Sequence, residues 1–381
     1  QHPVLTCDIE TFSLDLFEAR LGSVAFAWNE HEGGSFLIDY KPVNRVDDAD
    51  PYGECIENKP VRRLLRQFFE SYRGKLIYHN SSFDIKVLIL NLFMQHEQDY
   101  AGMLYGLDVM TRLIDDTKII AYLALNSTAN TSLSLKDLSH EYLGNYAQDS
   151  INDITKIYHP ELLKYNLTDC LGTWYVYKKY KPVMIQDAQE DIYETLMKPS
   201  IKIILQLELV GMPIDLDQVR QVEQELLAIQ AQHTQVLENS PSVKRTEKTL
   251  QLQELARINQ TLKTKQHGLD KVAHYTFNPN SGNHLIELLY TTMGLPILDT
   301  TATKLPATGG DTLEKLRHHT NNPEYLQILE SLIGLSKVAK IITAFIPAFK
   351  KAKTKQQGSW LHGNFNLGGT VSGRLSSSRP Y

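Results

Sequence analysis

The sequence predicts an α/β unit, in which helices pack on a mixed sheet, followed by a mostly α-helical second half. Three observations carry this. Short β-rich runs crowd the start of the chain and then alternate with helical patterns, as in a sheet covered by helices. Beyond about residue 190 the strand signal fades, and apolar residues recur at helical spacing. The charge divides near the same place. Residues 1–195 carry 18 Lys and Arg against 29 Asp and Glu, a net −11, and residues 196–381 carry 21 against 15, a net +6. A length of 381 residues suits two or three domains.

Taken in order, Val4–Ile9 reads as the first strand, with Gly22–Trp28 and Phe36–Tyr40 following across a hairpin loop at Glu30–Gly34. Val61–Tyr72 has helical periodicity, with Leu64, Leu65, Phe68 and Phe69 on one face. Lys75–Tyr78 is a short apolar strand, and Phe83–Phe93 a buried helix. Ile119–Leu125 and Leu135–Tyr142 read as helices, with Ser134 capping the second. Pro160 suits a helix start, and that helix should run to about Tyr180.

In the second half, Ile192–Leu209 is a helix stopped at Gly211-Met212-Pro213. Asp215–Leu237 is another, with Asp215 as its cap, and Asn239–Ser242 is a break. Lys244–Lys271 is basic, weakly amphipathic and expected to be exposed. Ser281–Met293 and Asp311–His318 are short helices around a loop at Thr300–Gly310. Tyr325–Lys350 is a long helix interrupted near Pro347, and Trp360–Asn366 a strand. The Gly- and Ser-rich end closes no element.

Composition excludes several classes. The overall net charge of −5 argues against a simple basic nucleic-acid binder, but the +6 of the second half reopens a contact carried by that half alone. Uninterrupted apolar runs such as Val87–Leu90 fall far short of the roughly 18 residues of a membrane span. Three cysteines without a CxxC exclude a disulfide framework and a structural zinc site, and fit a reducing compartment such as the cytoplasm. Gln1 is not an initiator, which suggests a trimmed start.

The chemistry lies in scattered carboxylates. Asp8 and Glu10 are one residue apart in the first strand, so both point to the same face. Such pairs are commonly surface residues. Asp84 opens a helix after the turn His79–Ser82, where an acid is also explained by the helix dipole. Tyr165 and Asp169, four apart in a helix, share a face. Together these are four carboxylates and one phenol. Two divalent cations about 3.5–4 Å apart, Mg²⁺ or Mn²⁺, prefer such hard oxygen ligands.

Asp8-Ile9-Glu10-Thr11, Asn80-Ser81-Ser82-Phe83-Asp84 and Tyr165-Asn166-Leu167-Thr168-Asp169 resemble, in this order, the three motifs of DEDD 3′–5′ exonucleases. The Tyr-x-x-x-Asp form marks the DEDDy subclass. Residues 116–122 and 133–138 resemble linking segments of this domain in DNA polymerase I. The resemblance implies a ribonuclease H-like fold for residues 1–190 and catalytic roles for Asp8, Glu10, Asp84, Tyr165 and Asp169. It puts Asp8, Glu10 and Asp169 around one metal, and Asp8 and Asp84 around the second. Thr11, Leu14 and Asn80 match positions near the terminal nucleotide, with Leu14 wedging against the base. His79 reads as a strand-end residue rather than a base, because metal does the activating. Cys7 and Cys170 read as small core residues.

In the second half, Leu207–Asp215, Phe277–Ser281, Gly294–Pro296, Asp311–Leu316 and Leu335–Lys337 resemble the thumb of family A DNA polymerases, and Thr370–Ser378 resembles its Thr-x-x-Gly-Arg-Leu-Ser-Ser signature at the palm entrance. This implies a helical thumb region at 191–355 and the first strands of a palm at 356–381. Arg374 would reach primer–template DNA. Lys337, Lys340, Lys350, Lys351, Lys353 and Lys355 would meet phosphate, while Lys244, Arg245, Lys248, Lys263 and Lys265 mark a second basic stretch. Palm aspartates and a fingers helix are not found in residues 1–381, so the expectation is the exonuclease, thumb and first palm strand of a longer polymerase, with a phage-type enzyme and the choice between truncation and divergence left open. Its partners would be single-stranded and primer–template DNA, with a processivity factor left open. The alternatives are a DNA clamp without catalysis and a stand-alone DEDDy nuclease that trims RNA.

Overall fold

A computed structural model of the chain describes residues 3–40, 55–125, 132–145, 153–260, 262, 266–355 and 358–378. The chain forms two compact units, residues 1–213 with 352–381, and residues 214–351.

The first unit is built on a five-stranded sheet. Its strands are β1 (Val4–Thr11), β2 (Leu21–Ala27), β3 (Gly33–Leu37), β4 (Lys75–Tyr78) and β5 (Ile114–Asp116), in the spatial order β3-β2-β1-β4-β5. β1 runs antiparallel to β2 and parallel to β4, and β5 is parallel to β4, so the sheet is mixed. The hairpin is tighter than expected. Asn29 Oδ1 accepts from the amides of His31 and Glu32 at 2.8 Å, and β3 starts at Gly33, inside the expected loop.

Helices α1 (Lys59–Ser71), α2 (Ser81–Leu92), α3 (Tyr100–Met110), α4 (Thr117–Ala124), α5 (Leu135–Leu143) and α6 (His159–Gln186) surround the sheet. The sequence reading did not see α3 or β5. Two glycines mask α3, and Gly106 is there for packing: a Cβ on it would lie 3.0 Å from Phe93 Cβ and 3.1 Å from Ile89 Cγ2. β5 is only three residues long, two of them aspartates.

The helix Lys198–Val210 sends Ile201, Leu205 and Leu209 into the same core as β1 and α2, so it belongs to the sheet unit, whereas composition put a boundary near residue 190. The C-terminal sequence does close an element: Ser376–Ser378 pairs antiparallel with Asn364–Asn366.

The second unit is helical, with Leu216–Asn239, Pro241–Gln260, Gly310–Leu316 and Pro323–Lys340 as its main α-helices. The basic helix begins at Pro241 and stops at Gln260, well before Lys271. The last long helix passes through a wide turn at Ile341–Phe345 before Ile346–Lys350. Pro347 cannot donate to the preceding turn, and the wide turn absorbs the break. By length and composition the run Pro323–Lys350 is long and apolar enough to cross a membrane, although polar residues interrupt its apolar stretches. Ile328, Leu329, Leu332 and Ile333 of this run line the core of the unit.

Candidate active site

The period of two along β1 decides which face carries chemistry. Thr6, Asp8 and Glu10 alternate with Cys7 and Ile9. Thr6 Oγ1 donates to the Cys170 carbonyl at 3.0 Å, and Asp8 Oδ2 accepts from Asn166 Nδ2 at 2.7 Å. The acidic face of β1 is therefore the face that α6 covers. A bulge follows Glu10, where the pairing with β2 shifts register. Bulges re-aim side chains at a strand end.

On α6, Leu162, Asn166, Cys170 and Thr173 form a buried stripe, and Tyr165 and Asp169 flank it. The Asp8, Glu10 and Asp169 carboxylates each place an oxygen so that all three lie within 4.8 Å of one another. Tyr165 hydrogen-bonds Asp169. Asp84, in the first turn of α2, is buried, and its Oδ1 accepts from the Ile9 amide at 3.2 Å. That bond ties α2 to the strand segment between the two β1 carboxylates.

Burial is the main cause of the electrostatics. It pushes Asp8 well above the usual carboxylate range, helped by Asp84, Glu10 and Asp169. Glu10 is pushed up to about 8 by burial and by Asp169 and Asp84. Asp84 also reaches about 8, through burial offset in part by its backbone hydrogen bonds. Asp169 reaches about 6, with burial opposed by Lys136 and the Tyr165 hydroxyl. Burial and the carboxylates hold the Tyr165 phenol far above its ordinary range, so it stays protonated. Like charges this close favour either protons or cations. The donors are all oxygen, which suits hard divalent ions such as Mg²⁺ or Mn²⁺.

The remaining expected residues are placed as follows. Leu14 projects 71% exposed. Thr11 Oγ1 donates to the Ser13 carbonyl at 2.9 Å. Asn80 sits in the left-handed region (φ 64°, ψ 51°), and its Oδ1 accepts from Lys118 Nζ at 3.2 Å. Both ring nitrogens of His79 are engaged, with Thr117 Oγ1 at 2.8 Å and the Leu133 carbonyl at 3.1 Å, and burial lowers it to about 4.

In the second unit Lys337 Nζ pairs with Glu314 at 3.3 Å, Lys340 Nζ lies 5.9 Å from the Phe345 ring centre, and Lys350 pairs with Glu223 at 2.5 Å. Arg374, in the first unit, is exposed. Lys263 and Lys265 lie outside the described residues, as do the side chains of Lys353 and Lys355.

Three residues at the site were missed by sequence reasoning. Asn166 bridges Asp8 and the Ser23 hydroxyl, which donates to it at 3.0 Å. A polar residue in the stripe between Leu162 and Cys170 was the available signal. Asp116 accepts from the amides of Asn80, Ser81 and Lys118, so it holds the turn before α2 and caps α4 at once. Its place directly before the helical run Thr117–Ala124 was the available signal, as a cap. Lys136, on the first turn of α5, lies over the Tyr165 ring with its Nζ 4.9 Å from the ring centre.

Residues 248–381 match the family model of DNA polymerase family A. DNA polymerase I of Rhizobium leguminosarum is 24% identical over 397 residues, covering 98% of this chain and 33% of that protein. The DNA polymerase of Bacillus phage SP01 is 24% identical over 353 residues, covering 84% of this chain and 35% of the phage protein. The chain thus spans about a third of the length of these curated relatives. Among solved structures, the POL domain of Pol1 from M. smegmatis, in complex with DNA primer–template and dNTP, aligns with a TM-score of 0.61 at 15% identity. That alignment covers 98% of this chain and 51% of the other, a likeness of fold. Over residues 248–381 the chain is similar to DNA polymerase family A, and the relatives that align with most of its length are DNA polymerases.

Proposed function

We propose that the first unit is a 3′–5′ exonuclease of the DEDDy type that removes terminal nucleotides from DNA, serving proofreading in a DNA polymerase. The observation that carries this is the convergence of Asp8, Glu10 and Asp169 within 4.8 Å, beside Asp84 and Tyr165. The strand order β3-β2-β1-β4-β5, with β2 antiparallel to β1 and β4 parallel to it, supports a ribonuclease H-like sheet for this unit.

Asp8, Glu10 and Asp169 would hold one divalent cation, and Asp8 with Asp84 the other. Bound there, the cations would supply Lewis acidity, making the attacking water more acidic and neutralising the leaving 3′ oxygen. Asn166 holds Asp8 in place. Tyr165, protonated and hydrogen-bonded to Asp169, can orient the attacking water without itself ionising. Leu14 stands free to press against a terminal base. The helical second unit would grip primer–template DNA as a thumb, with Lys340 and, once released from Glu314, Lys337 meeting phosphate. Arg374 would reach the duplex from the palm strands.

The test is release of nucleoside 5′-monophosphates from single-stranded DNA with Mg²⁺. Wild type should release them, and Asp8→Ala/Glu10→Ala should not. Full activity in the double variant would sink the assignment. Salt-sensitive DNA binding without hydrolysis in wild type would favour a clamp, and faster attack on RNA ends an RNA-trimming nuclease.

A further inference from the structure

Among the described residues at the site, the Lys136 ammonium is a charged group with no assigned work. α5 starts after the cap Ser134, whose Oγ accepts from the Asp137 amide at 3.2 Å, and this fixes Lys136 on the first turn. Lys136 Nζ is shut off from solvent and makes no hydrogen bond among the described residues. It faces the Tyr165 ring at 4.9 Å, and its charge acts on both Glu10 and Asp169. An ammonium has three donors, and an aromatic face satisfies them only in part. Solvent-excluded donors left unmade are costly, so an acceptor is missing from the arrangement.

The missing acceptor has a definable chemistry. It must be an oxygen that enters beside Tyr165, Glu10 and Asp169. A neutral hydroxyl would accept from Lys136 but add no charge of its own to the contact. A phosphodiester brings anionic oxygens, and it is the group that the proposed reaction delivers to this point.

We propose that Lys136 donates a hydrogen bond to a non-bridging oxygen of the 3′-terminal phosphodiester, holding the phosphorus in line with the water that Tyr165 orients. This rests on the exonuclease reading above. In the step it serves, a water oxygen bonds to phosphorus and the bond from phosphorus to the 3′ oxygen breaks. The water gives up a proton, and the departing 3′ oxygen takes one up. Lys136 transfers no proton in this step and answers charge that builds on the phosphoryl oxygens. It is a substrate-contacting residue distinct from the carboxylates.

The experiment compares wild type, Lys136→Met and Lys136→Arg on the full chain. Lys136→Met should slow nucleotide release by about a hundredfold, the loss typical of one donor aimed at developing charge. Lys136→Arg should recover part of it. With Ca²⁺ in place of Mg²⁺, Lys136→Met should bind a short oligothymidylate about tenfold more weakly. Calorimetric titration with Mn²⁺ alone should show affinity equal to or above wild type, because a neighbouring cation has been removed.

A purely structural role predicts instead that Mn²⁺ binding falls together with activity, and that outcome overturns the proposal. So does wild-type hydrolysis and oligonucleotide affinity in Lys136→Met. A wild type that hydrolyses nothing defeats the exonuclease reading and this proposal together. Hydrolysis by wild type with no effect of Lys136→Met defeats this proposal alone.

Discussion

The metal-free protein should lose stability as pH rises through neutrality. An unfolded Glu or Asp titrates near 4. In the folded protein Glu10 and Asp84 keep their protons up to about pH 8, chiefly through burial. Between those values the native state binds more protons than the unfolded chain, so the stability present below about pH 4 drains away as pH climbs toward 8. Counting one retained proton for a pair that titrates together, a rise from about pH 6.5 to about pH 8 costs roughly 1.5 kcal/mol. His79 works outside this window. Burial lowers it to about 4, so its contribution is lost only as pH falls below about 6.5. Urea unfolding in EDTA, followed by tryptophan fluorescence, reads the correct unit, since Trp28, Trp174 and Trp360 all lie in the first. The midpoint should fall between the two pH values. Mn²⁺ should restore it by binding the native state, and Glu10→Gln should flatten the difference. A midpoint that holds steady or rises in EDTA would refute the claim that burial and crowding keep these carboxylates protonated.

Two further changes probe the supports of the site. Asn166→Leu removes the donor to Asp8 and the acceptor for Ser23; urea melts should show a loss of about 1–3 kcal/mol, and nucleotide release should fall further than stability explains. Lys86→Met leaves Glu208, fully buried and otherwise paired with Lys86 Nζ at 2.5 Å, without its cation. The cost should be about 3–5 kcal/mol, and Glu208→Gln in the same chain should return part of it.

Much of this architecture was legible in the residues. The strand bearing Asp8 and Glu10 and the helix bearing Tyr165 and Asp169 were visible because period two and period four place each pair on one face. What periodicity cannot show is which faces meet. That depends on Thr6 and Asn166 reaching across 164 and 158 residues of chain. Short or glycine-bearing elements escaped for a different reason. Ile114–Asp116 and Tyr100–Met110 have weak local signals and are held by packing. Lys136 looked like one more solvated lysine, because nothing local in Leu133–Leu138 says that its ammonium ends against Tyr165, outside water.

The central claim is tested most directly by following a 5′-labelled single DNA strand through digestion by wild type and by Asp8→Ala/Glu10→Ala. With Mg²⁺ or Mn²⁺, wild type should give a ladder that shortens one nucleotide at a time from the 3′ end, while EDTA or the double variant should leave the strand whole. A full-length strand with wild type and metal, or an undiminished ladder with the double variant, would contradict the account.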